Sequence, residues 1–109
     1  MKVLYYSRGA GKTISLIRLA SENNYLIVCP TQQDADRIWQ MSKAIGLQIH
    51  QPITILEFVE GEYYSPGFKG IVANNIEGIV IDDVDKCLSR LSKLPITAIS
   101  LTKEVYEES

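Results

Sequence analysis

Few side chains in this chain suit a metal centre or a covalent staple. Its 109 residues include one histidine and two cysteines. Cys29 and Cys87 lack metal-ligand spacing and sit in separate apolar stretches, so they read as reduced core residues of a cytosolic protein. His50, just before Pro52, has no second ligand or partner nearby in sequence and reads as a surface residue. There is no basic excess: 11 Lys and Arg against 13 Asp and Glu give a net charge of −2 and a pI near 5.3. That excludes tight nucleic-acid binding driven by overall charge, although a local basic face is compatible with it. No apolar run reaches transmembrane length, which predicts no membrane association. A core strand starting at the second or third residue leaves no place for a signal peptide. Repeats and low-complexity segments are also missing. What remains is 46% hydrophobic and 22% charged, the balance of one soluble globular domain over 1–109, with 103–109 a frayed, solvated tail.

The first informative segment is Val3-Leu4-Tyr5-Tyr6-Ser7-Arg8-Gly9-Ala10-Gly11-Lys12-Thr13. An apolar strand, a glycine-rich bend, Lys-Thr and then a helical run from Lys12 to Glu22 is the arrangement that cradles a nucleoside triphosphate. Gly9 and Gly11 let the backbone bring its N–H groups close to phosphate oxygens. Lys12 supplies a point charge to the β and γ phosphates, and the Thr13 hydroxyl is a Mg²⁺ ligand. The positive end of the helix dipole faces the same anion. The nucleotide-contacting set is therefore Ser7, Arg8, Gly9, Ala10, Gly11, Lys12, Thr13 and Ile14. The strict phosphate-loop pattern would place its first glycine at position 6, where Tyr6 stands. The alternative reading of the segment is an ordinary strand–turn–helix junction, and the strand context and early position favour the phosphate loop.

Five short apolar runs, Lys2–Tyr6, Tyr25–Cys29, Ile53–Phe58, Gly78–Asp82 and Ile96–Leu101, read as strands. Tyr25–Cys29 and Ile79–Ile81 are continuously apolar, as suits parallel strands covered on both faces. Ala35, Ile38, Trp39, Ser42 and Ile45 form a helical stripe opened by Thr31, with Asp34 three residues on, and closed by Gly46. Trp39 lies on that stripe and reads as core. Val84, Cys87, Leu88 and Leu91 form a second stripe, and Pro95 stops it. This alternation predicts a three-layer α/β domain whose ligand lies at the carboxyl ends of the strands. Glu60–Glu77 is rich in turn residues. It reads as a surface connection with a short helix or hairpin, or as a stacking surface for a base or partner built from Tyr63 and Tyr64.

Gly78–Asp82 runs into a cluster of carboxylates, Asp82-Asp83-Val84-Asp85. Acids crowded at a strand end repel one another unless a cation compensates. Capping of the next helix accounts for one or two of them. A nucleotide-bound Mg²⁺ accounts for the cluster, with Asp82 holding the metal and Asp83 orienting or activating the attacking water.

These residues carry a family resemblance. Ala10-Gly11-Lys12-Thr13 resembles helicase motif I, and Asp82-Asp83-Val84-Asp85 resembles motif II. Cys29-Pro30-Thr31-Gln32 is similar to motif Ia, which faces the nucleic-acid backbone. Ser100-Leu101-Thr102 is similar to motif III, which couples nucleotide state to DNA binding. In this order they resemble a minimal first RecA-like P-loop NTPase domain of the superfamily 2 helicases. Ser7-Arg8-Gly9-Ala10-Gly11-Lys12-Thr13 is also similar to the loop of the ATPase domain of phage DNA-packaging terminases, whose arginine acts as a sensor or finger.

The resemblance implies a mostly parallel five-stranded sheet. Ile96–Leu101 would lie between the phosphate-loop strand and Gly78–Asp82, Tyr25–Cys29 on the latter's other side, and Ile53–Phe58 at an edge. It implies ATP and Mg²⁺ as ligands, and DNA as a partner. Lys12, Asp83, Arg8 and Thr102 would take part in catalysis, and Thr13 and Asp82 would hold the metal. The cytoplasm, the host's if the protein is phage-encoded, would be the location. Asp83 stands where most such ATPases carry Glu, and the second RecA-like domain of a helicase is missing. Hydrolysis then needs an arginine from Arg8 in cis, or one such as Arg37 or Arg90 in trans from a protein partner or homo-oligomer. The alternative is a nucleotide-binding adaptor with little turnover that docks on a larger complex. A small-molecule kinase is disfavoured, because no lid or arginine-rich acceptor site follows the core.

Overall fold

The computed structural model describes residues 3–5, 10–70, 75–92 and 105–107. The predicted strand Ile96–Leu101, the loop residues Ser7, Arg8 and Gly9, and Thr102 lie outside them. Strand β1 (Val3–Tyr5) leads towards helix α1 (Ala10–Asn23), followed by β2 (Tyr25–Cys29) and α2 (Gln32–Ala44). Then come β3 (Ile53–Thr54), α3 (Ile55–Val59), two 3-10 turns (Glu62–Tyr64 and Phe68–Gly70), β4 (Gly78–Ile81), α4 (Val84–Leu91) and β5 (Val105–Glu107).

Among the described residues, β3, β2 and β4 form one parallel sheet in that order, and β1 pairs with β5. The predicted five-strand arrangement is therefore seen in part: β2 does flank β4, and β3 is at the edge. Period-2 alternation along β2 sends its side chains to opposite layers. Ile27 and Cys29 join Leu16, Ile17 and Ala20 of α1 and Ala35 and Ile38 of α2. Leu26 and Val28 join Ile53, Ile55 and Cys87 on the other face. With both faces covered, the strand has no room for polar residues. At its entry, Gly78 pairs with Tyr25, and a Cβ at position 78 would meet the Tyr25 ring at 2.9 Å.

Helix α2 follows its sequence signals at both ends. Thr31 accepts a hydrogen bond from the Asp34 N–H at 3.2 Å. Gly46, at φ +74°, closes the helix: its N–H donates to Lys43 O and that of Leu47 to Ser42 O. Three expectations need correction. Ile53–Phe58 is not one strand; only Ile53–Thr54 pairs with β2. Thr54 then caps α3 through a reciprocal box with Glu57, which satisfies the N–H groups that a strand would have given to a neighbour. Trp39 is half-buried rather than core, with the Lys43 ammonium 4.6 Å from its ring centroid. The 103–109 tail includes β5, where Val105 and Tyr106, good strand formers, pair in parallel with Val3 and Leu4.

Ile27 is fully buried at the centre of the α1–α2 face. Ile27→Ala should lower unfolding stability by about 3 kcal/mol, whereas Leu91→Ala, at a 43% exposed position, should change it by well under about 1 kcal/mol. Urea denaturation of both variants checks the contrast.

Candidate functional site

Parallel strands share an orientation, so the carboxyl ends of β2, β3 and β4 lie at one edge of the sheet. The Asp82 N–H carries the β4 ladder one step further by donating to Val28 O at 2.8 Å. The first acid of the cluster is thus fixed beside the end of β2. There β2 turns through buried Pro30 into Thr31, the cap of α2. Thr31 Oγ1 donates to Asp34 Oδ2 at 2.7 Å, and Arg37 Nη2 reaches Asp34 Oδ1 at 3.4 Å. Burial pushes the Asp82 carboxyl above the ordinary aspartate value. Arg37 pulls it down, while Asp83 and Asp34 push it up, and the upward effects prevail.

Asp83 is the most unusual residue of the group. Its backbone is left-handed at φ +56° and ψ +66°, a conformation that costs a non-glycine residue about 1 kcal/mol or more. It occupies the N-cap position of α4 without a side-chain cap bond, so capping does not explain its carboxylate. Oδ2 instead lies 3.8 Å from the Lys86 ammonium. Asp85 is exposed in the first turn of α4. Among the described residues, no group of three or more His, Cys, Asp or Glu side chains is gathered closely enough to hold a metal by itself.

Four residues separate the end of β1 from the start of α1, which has Lys12 and Thr13 in its first turn and no acid there. Thr13 is buried, and Lys12 and Ile14 are half-buried. Helix α1 packs against both β2 and β4, and β1 approaches β4. The Thr13 hydroxyl and the Asp82 carboxylate are hard oxygen donors of the kind Mg²⁺ takes.

The two thiols mark the same edge. Cys29 Sγ donates to Ile53 O at 3.3 Å, and Cys87 Sγ donates to Asp82 O at 3.4 Å. Burial first, then the surrounding aspartates, pushes Cys87 up to about 12; the same causes raise Cys29. Both are free, buried and protonated, hence poor nucleophiles and metal ligands.

Three residues have roles the sequence did not reveal. Arg37, considered above as a finger for another subunit, lies within the electrostatic reach of Asp82 in its own chain. Lys69, at φ +49°, donates to Gln32 Oε1 at 3.0 Å, Pro52 O at 3.2 Å and Glu57 Oε1 at 3.0 Å. This strap ties the 60–70 segment to the ends of α2, β3 and α3, and it engages the Gln32 side chain within the chain. His50 is half-buried rather than a free surface residue, and its Nε2 lies 2.6 Å from Asn24 Oδ1.

No protein-family model, curated protein or solved structure matches the chain. Among the described residues, no helix is long and apolar enough to cross a membrane.

The strap predicts a pH effect. Burial raises the Glu57 carboxyl, but the Thr54 N–H and the Lys69 ammonium outweigh it and hold it below its usual value of 4.5. The folded chain therefore binds this proton less readily than the unfolded chain. The strap's contribution should be complete above pH 4.5 and disappear as pH falls through the lower folded value. Lys69→Met, which takes the Lys69 donor from Gln32 Oε1 and Pro52 O and leaves Glu57 Oε1 with the Thr54 N–H, should cost about 1–3 kcal/mol at neutral pH. Denaturation measured against pH should show a smaller acid loss in Lys69→Met than in the wild type.

Proposed function

We propose that this chain is a Mg²⁺-dependent ATP-binding P-loop protein of the RecA-like class, acting as an ATPase in phage or bacterial DNA transactions. The observation that carries the reading is the meeting of two elements. Helix α1 has Lys12 and buried Thr13 in a first turn free of acids, and it packs on β4, whose end bears Asp82 and a left-handed Asp83. Backbone strain at a strand-to-helix junction is a common companion of function. The five-stranded RecA-like sheet, with the 96–101 segment between β1 and β4, belongs to this proposal, as does a cytoplasmic location.

In this reading the N–H groups of Gly11, Lys12 and Thr13 bind phosphate oxygens, and Lys12 neutralises their charge. Thr13 and Asp82 hold the metal, which when bound offsets the charge developing on the transferred phosphoryl group. Asp83 orients the water. Its carboxylate is one methylene shorter than glutamate and is drawn towards Lys86, so it must turn away from that ammonium to act. Arg37, already close to Asp82, is a candidate cationic residue in cis beside Arg8.

The Asp83–Lys86 pair also favours a second reading, an adaptor that binds nucleotide and turns it over little. DNA association rests on the motif resemblance.

Steady-state hydrolysis and equilibrium ATP binding, measured with and without single- and double-stranded DNA, test both readings. For an ATPase, Lys12→Ala should abolish binding, while Asp83→Asn should keep binding and lose about 100-fold or more in turnover. Binding with negligible wild-type turnover would select the adaptor. If the wild type does not bind ATP, both readings fail.

A further inference from the structure

Helix α3 is amphipathic with its outer face uncovered. Ile55 and Phe58 turn into the core, whereas Leu56 and Val59, three residues apart on one face, are 41% and 60% exposed. Left-handed Gly61 then bends the chain into the Glu62–Tyr64 turn. An aromatic column rises from the core there: Phe58 stacks on Tyr63 at 5.6 Å, and Tyr63 meets Tyr64 at 4.3 Å. Its last ring, Tyr64, is 67% exposed. A half-anchored tyrosine in a turn that packs on a helix with exposed aliphatic side chains is the composition of an interface.

The charges around these residues restrict what can cover them. Glu60 shares the Leu56–Val59 side of α3, and Glu62 lies between Gly61 and Tyr63. Among the described residues, neither forms an ion pair, and the charge of Lys69, bound to Glu57, offsets the shift at Glu62 only in part. Desolvation, then the hydrogen bond and charge of Glu60, then the charge of Glu57 push the Glu62 carboxyl up. Two neighbouring carboxylates that form no ion pair repel a phosphate backbone and an anionic lipid surface. They also oppose a second copy of this chain meeting face to face.

We propose that the outer face of α3 and the adjoining turn, with Leu56, Val59 and Tyr64 flanked by Glu60 and Glu62, is a docking surface for a cationic amphipathic segment of a partner protein. The apolar side of such a segment would cover the three hydrophobic side chains, while its lysines or arginines would relieve the Glu60–Glu62 repulsion. The surface does not depend on nucleotide binding, so either proposal can fail without the other.

Fluorescence anisotropy on the full chain, with a labelled amphipathic Leu/Lys helical peptide as probe, tests this inference. A Leu/Glu peptide of the same pattern, a single-stranded oligonucleotide and anionic vesicles serve as competitors. The Leu/Lys peptide should bind, and the Glu60→Lys/Glu62→Lys variant should weaken binding by about ten-fold. Val59→Ser/Tyr64→Ala should weaken it similarly, with far-UV circular dichroism and Tm unchanged. A matched reversal at exposed Glu22 on α1, Glu22→Lys, should alter it by less than about two-fold. No peptide binding, an equal loss in Glu22→Lys, or no effect of Val59→Ser/Tyr64→Ala would overturn the proposal. Displacement by the oligonucleotide or vesicles, but not by unlabelled Leu/Lys peptide, would overturn it as well.

Discussion

The parallel pairing of β2 with β4 sets the position of almost everything chemical in this chain. Tyr25 to Val28 run beside Gly78 to Ile81, and the ladder continues when the Asp82 N–H donates to Val28 O. Because the strands point the same way, the turn after β2 and the acids after β4 emerge side by side. Burial of β2 on both faces makes this register costly to change: a one-residue slip would send Ile27 and Cys29 to the α3–α4 side and Leu26 and Val28 to the other. The packed sheet therefore fixes where Thr31, Asp34 and Asp82 converge.

That convergence brings several acids and their cationic partners together. Asp34 is held by Thr31 and Arg37, and Asp83 lies near Lys86, while Asp82 is half-buried, and that burial is the first cause of its raised carboxyl. Burial first, and then the charge of Asp82, Asp83 and Asp34, raises the Cys87 thiol. Asp83 adds backbone strain at the strand-to-helix junction. Helix α1, with Lys12 and Thr13 in its first turn, packs on the same strand that ends at these acids.

The elements most legible in the sequence were those whose local signals agreed with their packing. Tyr25–Cys29 is continuously apolar and is buried between two layers. Thr31, Asp34 and Gly46 delimit α2 by hydrogen bonds that depend on a few neighbouring residues. Ile53–Phe58 was misread because its apolar run fits a strand, while Thr54 and Glu57, a capping box visible in the sequence, decide for a helix. Arg37 and Lys69 were illegible for a different reason: their partners are set by strand adjacency and by the path of the 60–70 segment. No periodicity encodes the approach of Lys69 to Gln32 and Pro52. The segment Ser7–Thr13 resembles a phosphate loop in its residues, and Ser7–Gly9 lie outside the described residues.

The most direct test of the central claim is calorimetric titration of ATP into the wild type and Asp82→Asn, with and without Mg²⁺. The account predicts that Mg²⁺ strengthens ATP binding by the wild type. It also predicts that Asp82→Asn, still folded, binds ATP but loses most of that Mg²⁺-dependent gain. Equal wild-type affinities with and without Mg²⁺, or no ATP binding under either condition, would contradict it.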